Sequence, residues 1–337
     1  MKQVLQNENF LGAFLLMISM IIIGYIMRRK KVITFEGKKS ITALVFKVAL
    51  PCMAFSAFMQ DFSSDDFVSG IASLIAATVF YIVWLIIGRL IFARLGKRKA
   101  LISGFMISLG QLTLFSLPLM KTLQSDKAML YASIMTLAFR GVLYFVGFTT
   151  IASASEDNTA ESGGGNTFTK TLKKVILTPV MIAMIIGMII WLCQGFLPQR
   201  NGYCIFRIDK TLPAVYKVIS VLSNMVSPLA MFLIGIDMGE RELKYALRDG
   251  NAWFAAVVRM VICPLSVFLL VRFVFNFLFD ADAVMALTLG FAAPSSVTLN
   301  LFCSTYHYEE EYASHITVAS TLLCILTVPL ISVLIAL

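Results

Sequence analysis

Apolar residues run along this chain in ten blocks of about 20, each long enough to cross the hydrocarbon core of a bilayer as a helix. The blocks fall at roughly 10–27, 40–60, 67–93, 100–120, 128–152, 172–196, 213–236, 251–279, 283–304 and 312–336. Short polar connections separate them, with one exception. The stretch "SASEDNTAESGGGNTFTK" at 153–170 is polar, glycine-rich and without periodicity, which reads as a flexible linker. It divides the chain into a first five-helix unit at 1–152, a linker at 153–171 and a second five-helix unit at 172–337. An odd number of spans per half makes the halves enter the membrane from opposite sides, which is the arithmetic of an inverted repeat.

Composition agrees with the pattern: 59% of residues are hydrophobic, 14% are charged and the mean hydropathy is +0.85. The chain is expected to be an all-α polytopic membrane protein. A net charge of +9 suggests nucleic acid in a soluble protein, but here the basic residues cluster at span ends and report topology instead. Connections after the odd-numbered spans carry 16 Lys and Arg against six on the other side. The positive-inside rule then puts the odd connections in the cytoplasm and both termini outside. The first span precedes "RRKK" and lacks a small-residue cleavage site, so it reads as a retained span. His307 and His315 are the only histidines, and the cysteines form no C-x-x-C pair, which supports neither haem nor metal. No nucleophile constellation appears, so the chain reads as no enzyme and as needing no cofactor.

Several apolar blocks are spoiled at corresponding places in the two halves. Span 2 carries Pro51 and span 7 carries Pro228; span 4 contains "GQLTLFSLPLM", with Gly110, Gln111 and Pro118, and span 9 contains "GFAAPSSVTLN". Glycine and proline with clustered polar groups in spans 4 and 9 predict a pair of broken helices. Pro294 lies about eleven residues into its span, close to the midplane by helical rise. A half-helix restarting there leaves the amides of Ser295 and Ser296 as free donors at a positive helix end, a site for an anion such as a carboxylate. The alternative is a kink whose hydroxyls bond back to their own helix.

At these residues the sequence resembles the auxin efflux carrier family of permeases, which includes bacterial malonate-type transporters. The family pattern G-N-x-G-F-x-G-x-P-L in span 4 is similar to "GQLTLFSLPL", with Gly110, Gln111 and Pro118 on its Gly, Asn and Pro. A Pro followed twelve residues later by Tyr in span 9 falls on Pro294 and Tyr306, and "LPCMAFSAF" and "SPLAMFLIGIDMG" resemble further segments. Gln111 replaces the usual Asn, and Cys303, Ser304 and Thr305 replace A-K-E. The resemblance implies ten helices in two inverted repeats, broken helices 4 and 9 crossing with the substrate held between them, an elevator-type mechanism and a homodimer.

An ionisable side chain deep in a membrane is expensive and a functional candidate by default. Arg140, about twelve residues into span 5, lies near the midplane by helical rise. It reads either as a contact for a substrate or counter-anion, bidentate to a carboxylate, or as a group paired with backbone carbonyls. Arg259, upstream of Pro264, serves either in the same way or as support for the break. Lys47 and Asp237 read as boundary or scaffold charges ahead of coupling sites, and Arg272 as a snorkelling end residue. No acid lies inside these spans, and Asp237 stands at the edge of the seventh, so the site is expected to select an anion. The resulting expectation is a plasma-membrane carrier of a small organic anion, with Gly110, Gln111, Arg140, Pro294, Ser295, Ser296 and Asn300 about the substrate. A sodium-coupled carrier like the bile acid symporters, and an anion channel, are the alternatives.

Overall fold

The computed structural model describes residues 8–123, 125–154, 177–200, 203–240 and 243–335. Over these residues the chain is mostly helix joined by short irregular segments, with Gln199–Arg200 paired antiparallel to Tyr203–Cys204. The main helices are α1 Glu8–Arg29, α2 Phe35–Ser56, α3 Ser64–Ile91, α4 Lys97–Ser108, α5 Leu112–Lys121 and α6 Asp126–Ile151. They continue as α7 Pro179–Leu192, α8 Pro213–Glu240, α9 Gly250–Val274, α10 Ala281–Phe291, α11 Val297–Thr305 and α12 Glu310–Ile335. Among the described residues, six of them (α2, α3, α6, α8, α9 and α12) are long and apolar enough to cross a membrane. Two of the expected spans, the fourth and the ninth, are interrupted, into α4 with α5 and α10 with α11. Helix continues past α6 as far as Ala154. The rest of the expected linker, with Lys170, lies outside the described residues, as do Lys173, Lys174 and Arg241.

Helix starts follow local chemistry. Ser125, Asp249, Asp280 and Ser296 cap α6, α9, α10 and α11 by accepting from the amide three residues on, which satisfies one of the donors that a helix start leaves bare.

Of the expected helix breaks at Pro51, Pro118 and Pro228, those at Pro51 and Pro118 are not where the helices break. Pro51 and Pro118 each follow a five-residue π-helical stretch that ends two residues earlier, at Ala49 and Ser116, and the helix carries on through both. Pro264 repeats the arrangement after Val258–Ile262. Proline lacks an amide and its ring collides with the carbonyl four residues back; widening the preceding turn absorbs both defects without unwinding the helix. Pro228 falls in the first turn after a bend at Met225.

The helices pack in two sets. In one, α1 lies along α8, and α2 against α7 and α8; in the other, α3 packs on α4 and α6, α6 on α10, and α9 on α10 and α12. The α1–α8 contact is a glycine seam: a Cβ at Gly24 would strike the Phe232 carbonyl, and one at Gly235 would strike that of Ile21. Helices in lipid associate through such close packing, because the lipid supplies no hydrophobic force to join them. Arg207, outside the spans, ties the two ends of this set. Its buried guanidinium donates to both Asp209 oxygens, at 2.8 and 2.7 Å, and to Asp61 at 2.7 Å. The hydrogen bonds it donates to these carboxylates, Asp209 first, hold its pKa above the usual arginine value. In the second set, Asp66 near the start of α3 accepts from Lys127 at 2.7 Å and from the Tyr131 hydroxyl at 3.0 Å. That hydroxyl also lies 2.9 Å from the α10 cap, Asp280.

Candidate functional site

The chain leaves helical geometry at 109–111 and again at 292–296, and the two unwound segments meet. Gly110 and Ser295 form an isolated antiparallel bridge; the Gln111 amide donates to the Pro294 carbonyl at 2.8 Å, and the Ser296 amide to that of Leu109 at 3.0 Å. Ser295 donates its amide to Ser320 Oγ at 3.1 Å. The amides of Ser295 and Ser296 are therefore not the free donors expected from the sequence, and the half-helix begins at Val297, three residues beyond Pro294. Buried amides must be satisfied; for Ser296 the acceptor is on the other broken segment, and for Ser295 it is on α12.

A helix end also leaves its last four carbonyls without intrahelical partners, and at the end of α4 each has been given one. Ser295 Oγ donates to Met106 O at 2.9 Å, Arg259 Nη1 to Ile107 O at 2.8 Å and Ser108 O at 2.9 Å, and Leu109 O takes the Ser296 amide. Arg259 Nε reaches across to Ala293 O, just past α10, at 3.0 Å. Ser116 Oγ donates to Leu289 O within the last turn of α10 at 2.9 Å. Arg259, fully buried, thus supports both breaks at once. Gly110 leaves it room: a Cβ there would be 2.8 Å from Cζ and would overlap Nη2.

Beside the paired breaks lies a cavity of about 340 Å³, lined by Gln111, Thr113, Arg140, Tyr144, Ser296 and Thr298 among others. Arg140 stands where α6 passes from α- to π-helical geometry, the kind of local widening that recurs at functional sites. Its Nε has no hydrogen-bond partner among the described residues, and neither has Gln111 Oε1. A buried donor and a buried acceptor left open in one cavity wall are places for a ligand to complete. The first amides of α11, at Val297 and Thr298, have no intrahelical acceptor by construction, and both residues line the cavity.

Lys38, Asp237, Val297 and Leu301 are shared with an outer vestibule of about 600 Å³, which Asn300 also lines. There Lys38 Nζ lies 2.5 Å from both Asp237 and Glu240, and Arg28 3.1 Å from Glu240. With Glu310 and Glu311 the vestibule carries more acid than base.

Of the residues singled out from the sequence, Gln111, Arg140 and Ser296 share the cavity wall, Asn300 and Asp237 the vestibule. Gly110, Pro294 and Ser295 build the paired backbone and do not line either space. Lys47 is exposed on α2, away from the cavity. Sequence reading missed Thr113, Tyr144, Thr298 and Lys38. Thr298 carried a signal as part of the polar interruption; Lys38 was hidden in a basic cluster read as topology.

A family model described as membrane transport protein matches residues 10–332, most of the chain. No curated protein sequence matches it.

Proposed function

We propose that this chain, which belongs to the membrane transport protein family that includes the auxin efflux carriers, is a secondary carrier of a small organic anion with a carboxylate. The observation that carries this reading is Arg140: a residue of the cavity wall whose guanidinium is nearly out of solvent, with an unpartnered Nε and no ion pair among the described residues. A carboxylate completes it bidentately. The open amides at the start of α11 and the positive end of that half-helix favour the same charge, and Gln111 and Thr298 are placed to select polar substituents.

The two packing sets support an elevator-type reading, in which α1, α2, α7 and α8 form the scaffold and the other helices move against it. The matched interruptions support ten spans in two inverted repeats. In the orientation set by the basic connections, with both termini outside a plasma membrane, the vestibule opens to the cytoplasm. The assembly we expect is a homodimer. The acidic vestibule favours one second reading, a substrate that also bears an ammonium group.

The test is charge movement across proteoliposomes challenged with malonate, malate, lactate, indole acetate, cholate and a neutral amino acid. A saturable signal from a carboxylate supports the carrier; signals from none of them, or currents that do not saturate, refute it.

A further inference from the structure

In transporters built on discontinuous helices, the carbonyls that a break exposes are characteristic ligands for a coupling cation. In this chain that position is filled from within. The C-terminal ends of α4 and α10 converge, each with roughly half a negative charge, so about one unit of negative charge collects there. Arg259 brings one positive charge to it, donating to Ile107 O, Ser108 O and Ala293 O at 2.8–3.0 Å. No carboxylate pairs with Arg259 among the described residues, so the helix ends are its counter-charge. Its fit is close, since Gly110 is the residue whose missing side chain makes room for Nη2.

We propose that Arg259 is a tethered cation standing in for a solute coupling ion. Transport then needs neither sodium nor potassium, and shortening the side chain opens an oxygen-lined site for a small monovalent cation, completed by water. The inference rests on the transporter reading above and adds the ion requirement to it. A kinked helix alone does not require a charge here; two opposed carbonyl ends do.

The experiment compares native protein, Arg259→Ala and Arg259→Lys in proteoliposomes and in detergent. Native transport is expected to be unchanged when choline replaces sodium and potassium. Arg259→Ala in choline is expected to lose about 100-fold or more in rate, the scale of an uncompensated buried charge, and to regain transport with sodium or millimolar methylguanidinium. Arg259→Lys keeps cation-independent transport. A second readout needs no substrate: a cation at about ten times its dissociation constant raises the melting temperature of Arg259→Ala by about 2 °C or more and leaves the native protein unmoved. If Arg259→Ala folds only when purified with one of these cations, that is the same result. Sodium-dependent native transport, a native thermal shift, or an Arg259→Ala protein that no cation rescues or stabilises overturns the proposal. A native protein that moves no carboxylate defeats the proposed function and leaves the thermal result readable.

Discussion

Gly235→Ala tests the glycine seam on which one helix set depends. The added methyl would stand 2.9 Å from the Ile21 carbonyl carbon and 3.0 Å from its Cα, where 3.4–4 Å is ordinary contact. The obstacle is backbone, so no rotamer change relieves it. The Ile21 carbonyl oxygen is nearer still, so helix α1 must back away by more than the 0.5 Å that separates 2.9 from 3.4 Å. A gap of about 0.5–1 Å forfeits roughly a quarter to a half of each dispersion contact along the seam, and in lipid those contacts are what hold helices together. Overpacking of this kind costs about 1–3 kcal/mol. The assay is thermal unfolding of purified protein in detergent, where a fall of several degrees is expected. Gly24→Ala pushes α1 off α8 by striking the Phe232 carbonyl, so the double variant should cost less than the two single losses added together. Arg140 and Ser296 belong to the other set, so substrate affinity per folded protein should change little. A Gly235→Ala protein that melts with the native one refutes the close approach.

Ser296→Ala removes the cap of α11 and a hydroxyl from the cavity wall. Its melting temperature should fall by the equivalent of about 0.5–2 kcal/mol, with weaker apparent substrate affinity measured in the same preparation. Asp66→Asn weakens charge-assisted bonds from Lys127 and Tyr131. Since Lys127 is half exposed, a loss near the lower end of about 1.5–3 kcal/mol is expected by thermal unfolding. Lys38→Met removes the cation that bridges Asp237 and Glu240, three residues apart on α8, and should slow anion uptake at low ionic strength more than at high, because salt screens the acids of the vestibule.

Much of the site was legible because breaking a membrane helix demands unusual residues. Gly110, Gln111 and the Pro294–Ser295–Ser296 cluster marked both interruptions, and the depth of Arg140 in an apolar run marked the cavity. What stayed hidden depends on pairs far apart in sequence. Nothing local to Ser296 announces that its amide will meet Leu109 O, and nothing near Arg259 names the carbonyls of Ile107, Ser108 and Ala293. The prolines misled for a physical reason. A missing amide reads as a break, but one widened turn absorbs it, so Pro51 and Pro118 leave their helices continuous.

The central claim is that the open guanidinium of Arg140 receives the carboxylate, and carboxylate-induced charge movement in Arg140→Gln proteoliposomes tests it most directly. The substitution keeps a polar, shorter side chain and removes the charge and the fork. A variant that melts with the native protein yet gives no saturable carboxylate signal is the predicted result; a signal of native size and affinity would contradict the account.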